Sequence, residues 1–150
     1  RDREPEAAFR SNFIVGYPGE TERDHDELLR FVEAAELDWC GFFAYSREDG
    51  THAAELADRD GLVDPALVEE RLAELRELQD GITAARRDDL IGRRTEVLVD
   101  TVGVGRSHRE APEIDGIIHV AAELTPGEIV EVEIVDALGP DLVAAGGVAT

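Results

Sequence analysis

A chain of 150 residues, 43% of them hydrophobic, is long enough to bury a core and to form one or two small domains. Its 35 acidic residues outweigh 15 basic ones, all of them arginine, for a net charge of −20. That surface repels phosphate backbones and anionic membranes, whose binding rests on Lys and Arg, and it attracts a basic protein partner.

Ser11–Gly16 holds Phe13, Ile14 and Val15 and ends in a Gly/Pro cluster, the pattern of a short buried strand. Thr21 followed by Asp24 predicts a capping box that opens a helix over Glu22–Glu36, with Leu28, Phe31, Val32 and Ala35 on one face. Asp38–Tyr45 carries a second apolar run, so strand, helix and strand form a βαβ unit with parallel strands and a right-handed crossover. Residues 46–64, with Gly50, Gly61 and many acids, read as a loop. Pro65 opens a long helix whose stripe is Val68, Leu72, Leu75, Gln79 and Ile82, ending near Leu90 ahead of Gly92.

Beyond Gly92 the pattern turns to strands at Thr95–Val104, Ile117–Ala121, Ile129–Val135 and Asp141–Ala145, separated by glycines. Several short strands in so few residues predict a small β-barrel with a domain boundary near 90. Both parts are acidic. Residues 1–90 carry 11 Arg against 24 acids, a net of −13, and residues 91–150 carry 4 against 11, a net of −7.

Cys40 stands alone, which excludes an intrachain disulfide and a cysteine-held metal, and fits a reducing cytoplasm. There is no apolar run of about 20 residues to cross a bilayer and no signal sequence at Arg1–Pro5, so a soluble protein is expected. The sequence contains no Met, so a chain opening at Arg1 is expected to be a piece of a longer protein. His25, His52, His108 and His119 show no metal-ligand spacing and read as solvated or structural.

Two loops leave the predicted parallel strands at their carboxyl ends, where ligands gather in α/β folds: Gly16–Thr21 and Tyr45–Thr51. Each is equally a plain turn or a polar surface loop. Asp24/Asp26 and Glu69/Glu70 read as solvated helix faces.

Arg10-Ser11-Asn12-Phe13-Ile14-Val15-Gly16-Tyr17-Pro18-Gly19-Glu20-Thr21 resembles the late barrel strand of radical-SAM methylthiotransferases. Phe43-Ala44-Tyr45-Ser46, with Gly50-Thr51 and Ala53, is similar to the next strand and loop of that family. Ile91-Gly92-Arg93-Arg94-Thr95-Glu96-Val97-Leu98-Val99 resembles the start of its C-terminal TRAM domain. Gly105-Arg106-Ser107-His108-Arg109-Glu110-Ala111-Pro112-Glu113-Ile114-Asp115-Gly116 resembles the RimO branch, which modifies an aspartate of protein twelve of the small ribosomal subunit.

The resemblance implies an α/β part followed by an all-β part. Residues 1–90 would be the C-terminal βαβ portion of a radical-SAM partial barrel plus a long linking helix, and residues 91–150 an OB-like TRAM barrel. It implies a cytoplasmic parent enzyme with S-adenosyl-L-methionine and two 4Fe-4S clusters, whose cysteine ligands this chain lacks; alone the chain would be inactive. In that enzyme reductive cleavage of S-adenosylmethionine yields a radical that abstracts hydrogen from the aspartate β-carbon before a methylthio group is installed.

Ile14, Val15 and Gly16 would line the adenine side of S-adenosylmethionine, with Phe43 and Tyr45 as neighbouring wall or core packing. Asn12 stands where the family pattern has its first Gly, and Glu20 lies one residue beyond the family acid. No catalytic or metal-ligating residue is assigned. The acidic TRAM domain would dock the basic ribosomal protein. The alternatives are a tRNA methylthiotransferase of the same superfamily and a non-enzymatic acidic interaction module; net −7 over residues 91–150 disfavours RNA.

Overall fold

The computed structural model describes residues 3–149; Arg1, Asp2 and Thr150, part of the terminal stretches read above, lie outside them. Two compact units are present: Arg10–Gln79, and the residues up to Phe9 together with those from Asp80 onward. The division between these units falls at Asp80, within a helix. The last turns of that helix belong with the barrel, because Arg87 forms a buried ion pair with Glu110 and Leu90 packs on the barrel core.

In the first unit, β1 (Arg10–Val15) and β2 (Trp39–Ala44) pair in parallel, with Phe13 opposite Phe42 and Ile14 opposite Phe43. Between them runs α1 (Glu22–Ala35), opened by the capping box expected at Thr21: its hydroxyl accepts from the Asp24 amide, and the Asp24 carboxylate accepts from the Thr21 amide at 2.8 Å. Thr21→Ala should lower stability by about 1 kcal/mol in a urea titration, and an unchanged midpoint would show the cap to be redundant. Val15, Val32, Phe42, Leu72 and Leu75 are buried. Phe13 lies 5.8 Å from Phe31 and 6.0 Å from Phe42.

Residues 46–64 are not all loop, since α2 (His52–Asp60) occupies their middle. Thr51 caps it by accepting from the Ala54 amide. Its buried face is only Ala54 and Ala57, so it lacks the bulky stripe that announces a helix, and Gly61 marks its end rather than a continuing loop. The long helix α3 (Pro65–Asp88) closes two residues earlier than expected. Val68, Leu72, Leu75 and Gln79 lie on its buried side as the spacing predicts, and the Gln79 amide donates to the Leu37 carbonyl at 2.9 Å.

The second unit is a closed barrel in the order β3-β4-β5-β7-β6. The strands are β3 (Arg94–Thr101), β4 (Val104–Arg106), β5 (Ile118–His119), β6 (Ile129–Leu138) and β7 (Asp141–Ala149). Thr95–Val104, expected as one strand, breaks into β3 and the start of β4 at the Gly103 turn. β5 is shorter than the expected Ile117–Ala121. The Ile117 amide turns to the Asp141 side chain, and the Val120 amide donates to the Gly103 carbonyl. β6 alternates as its sequence predicts, sending Val130, Val132 and Ile134 inward to meet Val97, Val99, Ile118 and Leu142. Gly116 permits a close crossing, because a Cβ there would sit 2.0 Å from the Pro140 carbonyl oxygen. No helix among the described residues is long and apolar enough to cross a membrane.

Candidate functional site

The parallel β1–β2 pair presents one open face. Alternation along a strand sends Ile14 and Phe43, partners in register, to the same side, where they are 61% and 57% exposed. Val15 points the other way and is fully buried. Of the residues expected to form one wall, Ile14 and Phe43 thus meet on the open face, whereas the Val15 side chain is core. The Val15 carbonyl extends the pairing by accepting from the Tyr45 amide at 2.8 Å.

Gly16 and Tyr45 meet at the carboxyl ends of these strands, beside a cavity of about 160 Å³ walled also by Ala44, Leu62, Val63 and Val68. Tyr45 packs edge-on against Tyr17, ring centroids 5.8 Å apart, and its hydroxyl is buried with no hydrogen-bond partner among the described residues. An orphan phenol beside an apolar cavity is an unspent donor and acceptor for a ligand's polar edge. Gly16 has φ +80°, and a Cβ on it would meet Val68 at 2.5 Å, so both the left-handed conformation and the closeness of α3 require glycine.

What holds this rim is a charge relay that periodicity did not single out. One oxygen of Glu20 accepts from the amides of Gly16 at 2.8 Å and Tyr17 at 3.3 Å. The other accepts from Arg71 at 2.7 Å, and the second arm of Arg71 reaches Glu22 at 2.5 Å. Burial opposes the charge on Arg71, but Glu22 and Glu20 outweigh it and hold the guanidinium above its ordinary pKa. Glu20 is therefore committed to shaping the turn. A sequence signal exists, because Arg71 falls on the α3 stripe between Val68 and Leu75, and a charge on a buried stripe demands a counter-charge.

The histidines are structural or solvated. His25 is buried and shares a hydrogen bond with Glu74 at 2.9 Å, His52 lies beside Glu55, His119 is 3.9 Å from Asp141, and His108 donates to the Glu6 carbonyl. Among the described residues no group of His, Cys, Asp and Glu could hold a metal. Asp26, Glu69 and Glu70 are exposed as expected, while Asp24 serves the cap.

Cys40 is half-buried, and burial pushes its thiol up to about 11. Because thiolate is the reactive form, its alkylation by iodoacetamide at about pH 8 should run about a hundredfold slower than in the urea-unfolded chain. Equal rates, followed by mass spectrometry, would contradict that environment.

Residues 91–145, which form the closed barrel, match the TRAM domain family. Along nearly its whole length the chain is also similar to proteins named ribosomal protein uS12 methylthiotransferase RimO. It is 45% identical over 149 residues to the one from Cutibacterium acnes, covering 96% of this chain and 30% of that protein. Identity is 47% over 148 residues with that of Alkalilimnicola ehrlichii, covering 95% of this chain and 33% of the relative. With that of Salinispora tropica it is 46% over 153 residues, covering 93% and 30%. The chain spans about a third of the length of these curated relatives.

Proposed function

We propose, on the premise that this is a RimO-like chain of an α/β portion and a TRAM barrel, that it serves an enzyme methylthiolating an aspartate β-carbon of ribosomal protein uS12. The observation that carries this reading is the similarity at 42–47% identity, continuous from β1 through the barrel, to proteins bearing that name. The division of labour follows from the chemistry of each part.

In this reading the open β1–β2 face is part of the wall for S-adenosylmethionine. Ile14 and Phe43 offer apolar surface to a flat purine, while Gly16 and the unpartnered Tyr45 hydroxyl border its rim. Val15 contributes its backbone and its burial, not a side chain at the surface. When bound, S-adenosylmethionine supplies the one-electron chemistry that activates the unreactive aspartate carbon. An iron–sulfur cluster does not fit this chain's residues, because Cys40 is a single thiol with a raised pKa. Cluster ligation would require cysteines that these 150 residues do not contain.

The TRAM barrel receives the substrate. With four arginines and no lysine against eleven acids over residues 91–150, it suits a basic ribosomal protein better than RNA. The test is a reconstituted, anaerobic assay of the full-length protein that contains this chain, offered uS12 and tRNA together. Mass spectrometry should find one methylthio group in place of hydrogen on a uS12 aspartate. Methylthiolation of tRNA alone would assign the chain to the tRNA branch, and modification of neither would leave an acidic interaction module.

A further inference from the structure

We propose that a groove on the outer face of β3, β4 and β6 is the docking slot for a cationic side chain of an extended basic protein segment, with Glu96 as its counter-charge. The proposal rests on the reading that the barrel receives a basic protein and names the surface that does so. Because Val97 and Val99 point into the barrel, Glu96 and Leu98 point out. The register sets Leu98 opposite Ile129 of β6 and Arg106 of β4, and sets Glu96 opposite Glu131. Ser107 and His108 complete the walls of a cavity of about 260 Å³.

Two features mark this groove. Ile129 leaves 52% of its surface in water, beside the half-buried Leu98. Glu96 and Glu131 are direct cross-strand partners, at a spacing where like charges destabilise a sheet. The neighbouring charges are already matched, Arg94 with Glu131 at 2.7 Å and Arg106 with Asp100 at 2.6 Å. Glu96 has no ion-pair partner among the described residues. An apolar floor ending at an unmatched carboxylate complements Lys or Arg, whose aliphatic stem covers apolar surface while its head keeps the charge. A phosphate would meet the carboxylate with the wrong sign. A free metal ion would gain nothing from Leu98 and Ile129. The repulsion between Glu96 and Glu131 is the kind of local cost that a binding surface retains for its partner.

The experiment titrates the 150-residue chain, isotopically labelled for NMR, with a lysine-rich peptide from uS12 at low salt. The largest amide shifts should fall at Leu98, Ile129 and their strand neighbours. Glu96→Gln should weaken binding about tenfold while leaving or raising the melting temperature, since it relieves a like-charge pair. Ile129→Ser should weaken binding severalfold. Glu123→Gln, the same loss of charge at an exposed site outside the groove, should change affinity less than about twofold. Equal weakening by Glu96→Gln and Glu123→Gln, or shifts confined elsewhere, would overturn the groove while leaving the substrate reading intact. Failure of the unaltered chain to bind the peptide, or displacement of the peptide by tRNA from the same residues, would overturn both.

Discussion

Glu110→Ala should lower the unfolding free energy of the barrel unit by about 3–5 kcal/mol, the range measured when one partner of a buried ion pair is removed. The Arg87 and Glu110 side chains are 4% and 1% exposed and pair directly. The other oxygen of Glu110 accepts from both the amide and the hydroxyl of Ser107 at 2.7 Å. The substitution therefore takes the Glu110 carboxylate away from a buried guanidinium and removes the acceptor of a buried amide. Small domains are stable by only about 5–15 kcal/mol, so much of the population should unfold well below the usual denaturant midpoint. Glu110→Gln keeps the shape and one acceptor and should fall between. Replacing both Arg87 and Glu110 with Leu restores charge balance but not the Ser107 contacts, so recovery should be incomplete. Full recovery in the double variant, measured by guanidinium titration, would show that the Ser107 contacts carry no weight.

Arg71→Leu should cost the Arg10–Gln79 unit about 3 kcal/mol and loosen the turn after β1. The arm of Arg71 that reaches Glu22 contributes little, because Glu22 is 71% exposed and its charge is screened. The arm to Glu20 dominates, since Arg71 is 3% and Glu20 13% exposed. Without it the Glu20 carboxylate keeps only the Gly16 and Tyr17 amides and is free to turn to water. Hydrogen exchange should therefore accelerate at Gly16 and Tyr17 before the unit as a whole unfolds. Unchanged protection at those two amides would show that Glu20 holds the turn without Arg71.

Local chemistry was the part of this molecule most open to reading. Thr21 and Asp24 lie three residues apart, so their capping box is complete within the sequence, and the alternation of Ile129–Val135 fixes which side chains fill the barrel. What escaped depends on partners distant in sequence or on an absence of bulk. Arg71 acquires its role from Glu20, 51 residues earlier, and α2 buries only two alanines. At the start of β5 the Ile117 amide donates to an Asp141 oxygen, 24 residues on, while its carbonyl accepts from the Leu142 amide. Ile14 and Val15 are consecutive in a strand, and the period of two already forbids both side chains from lining one surface. The structure selects Ile14 for the open face.

The central claim, that the acidic barrel engages a basic ribosomal protein rather than RNA, is tested most directly by the binding of fluorescent uS12 and fluorescent tRNA to this chain across a salt series. The account predicts uS12 binding that weakens steeply as ionic strength rises through about 0.15 M, where the Debye length falls to about 8 Å, and no measurable tRNA binding. Binding of tRNA at physiological salt, or uS12 binding indifferent to salt, would contradict it.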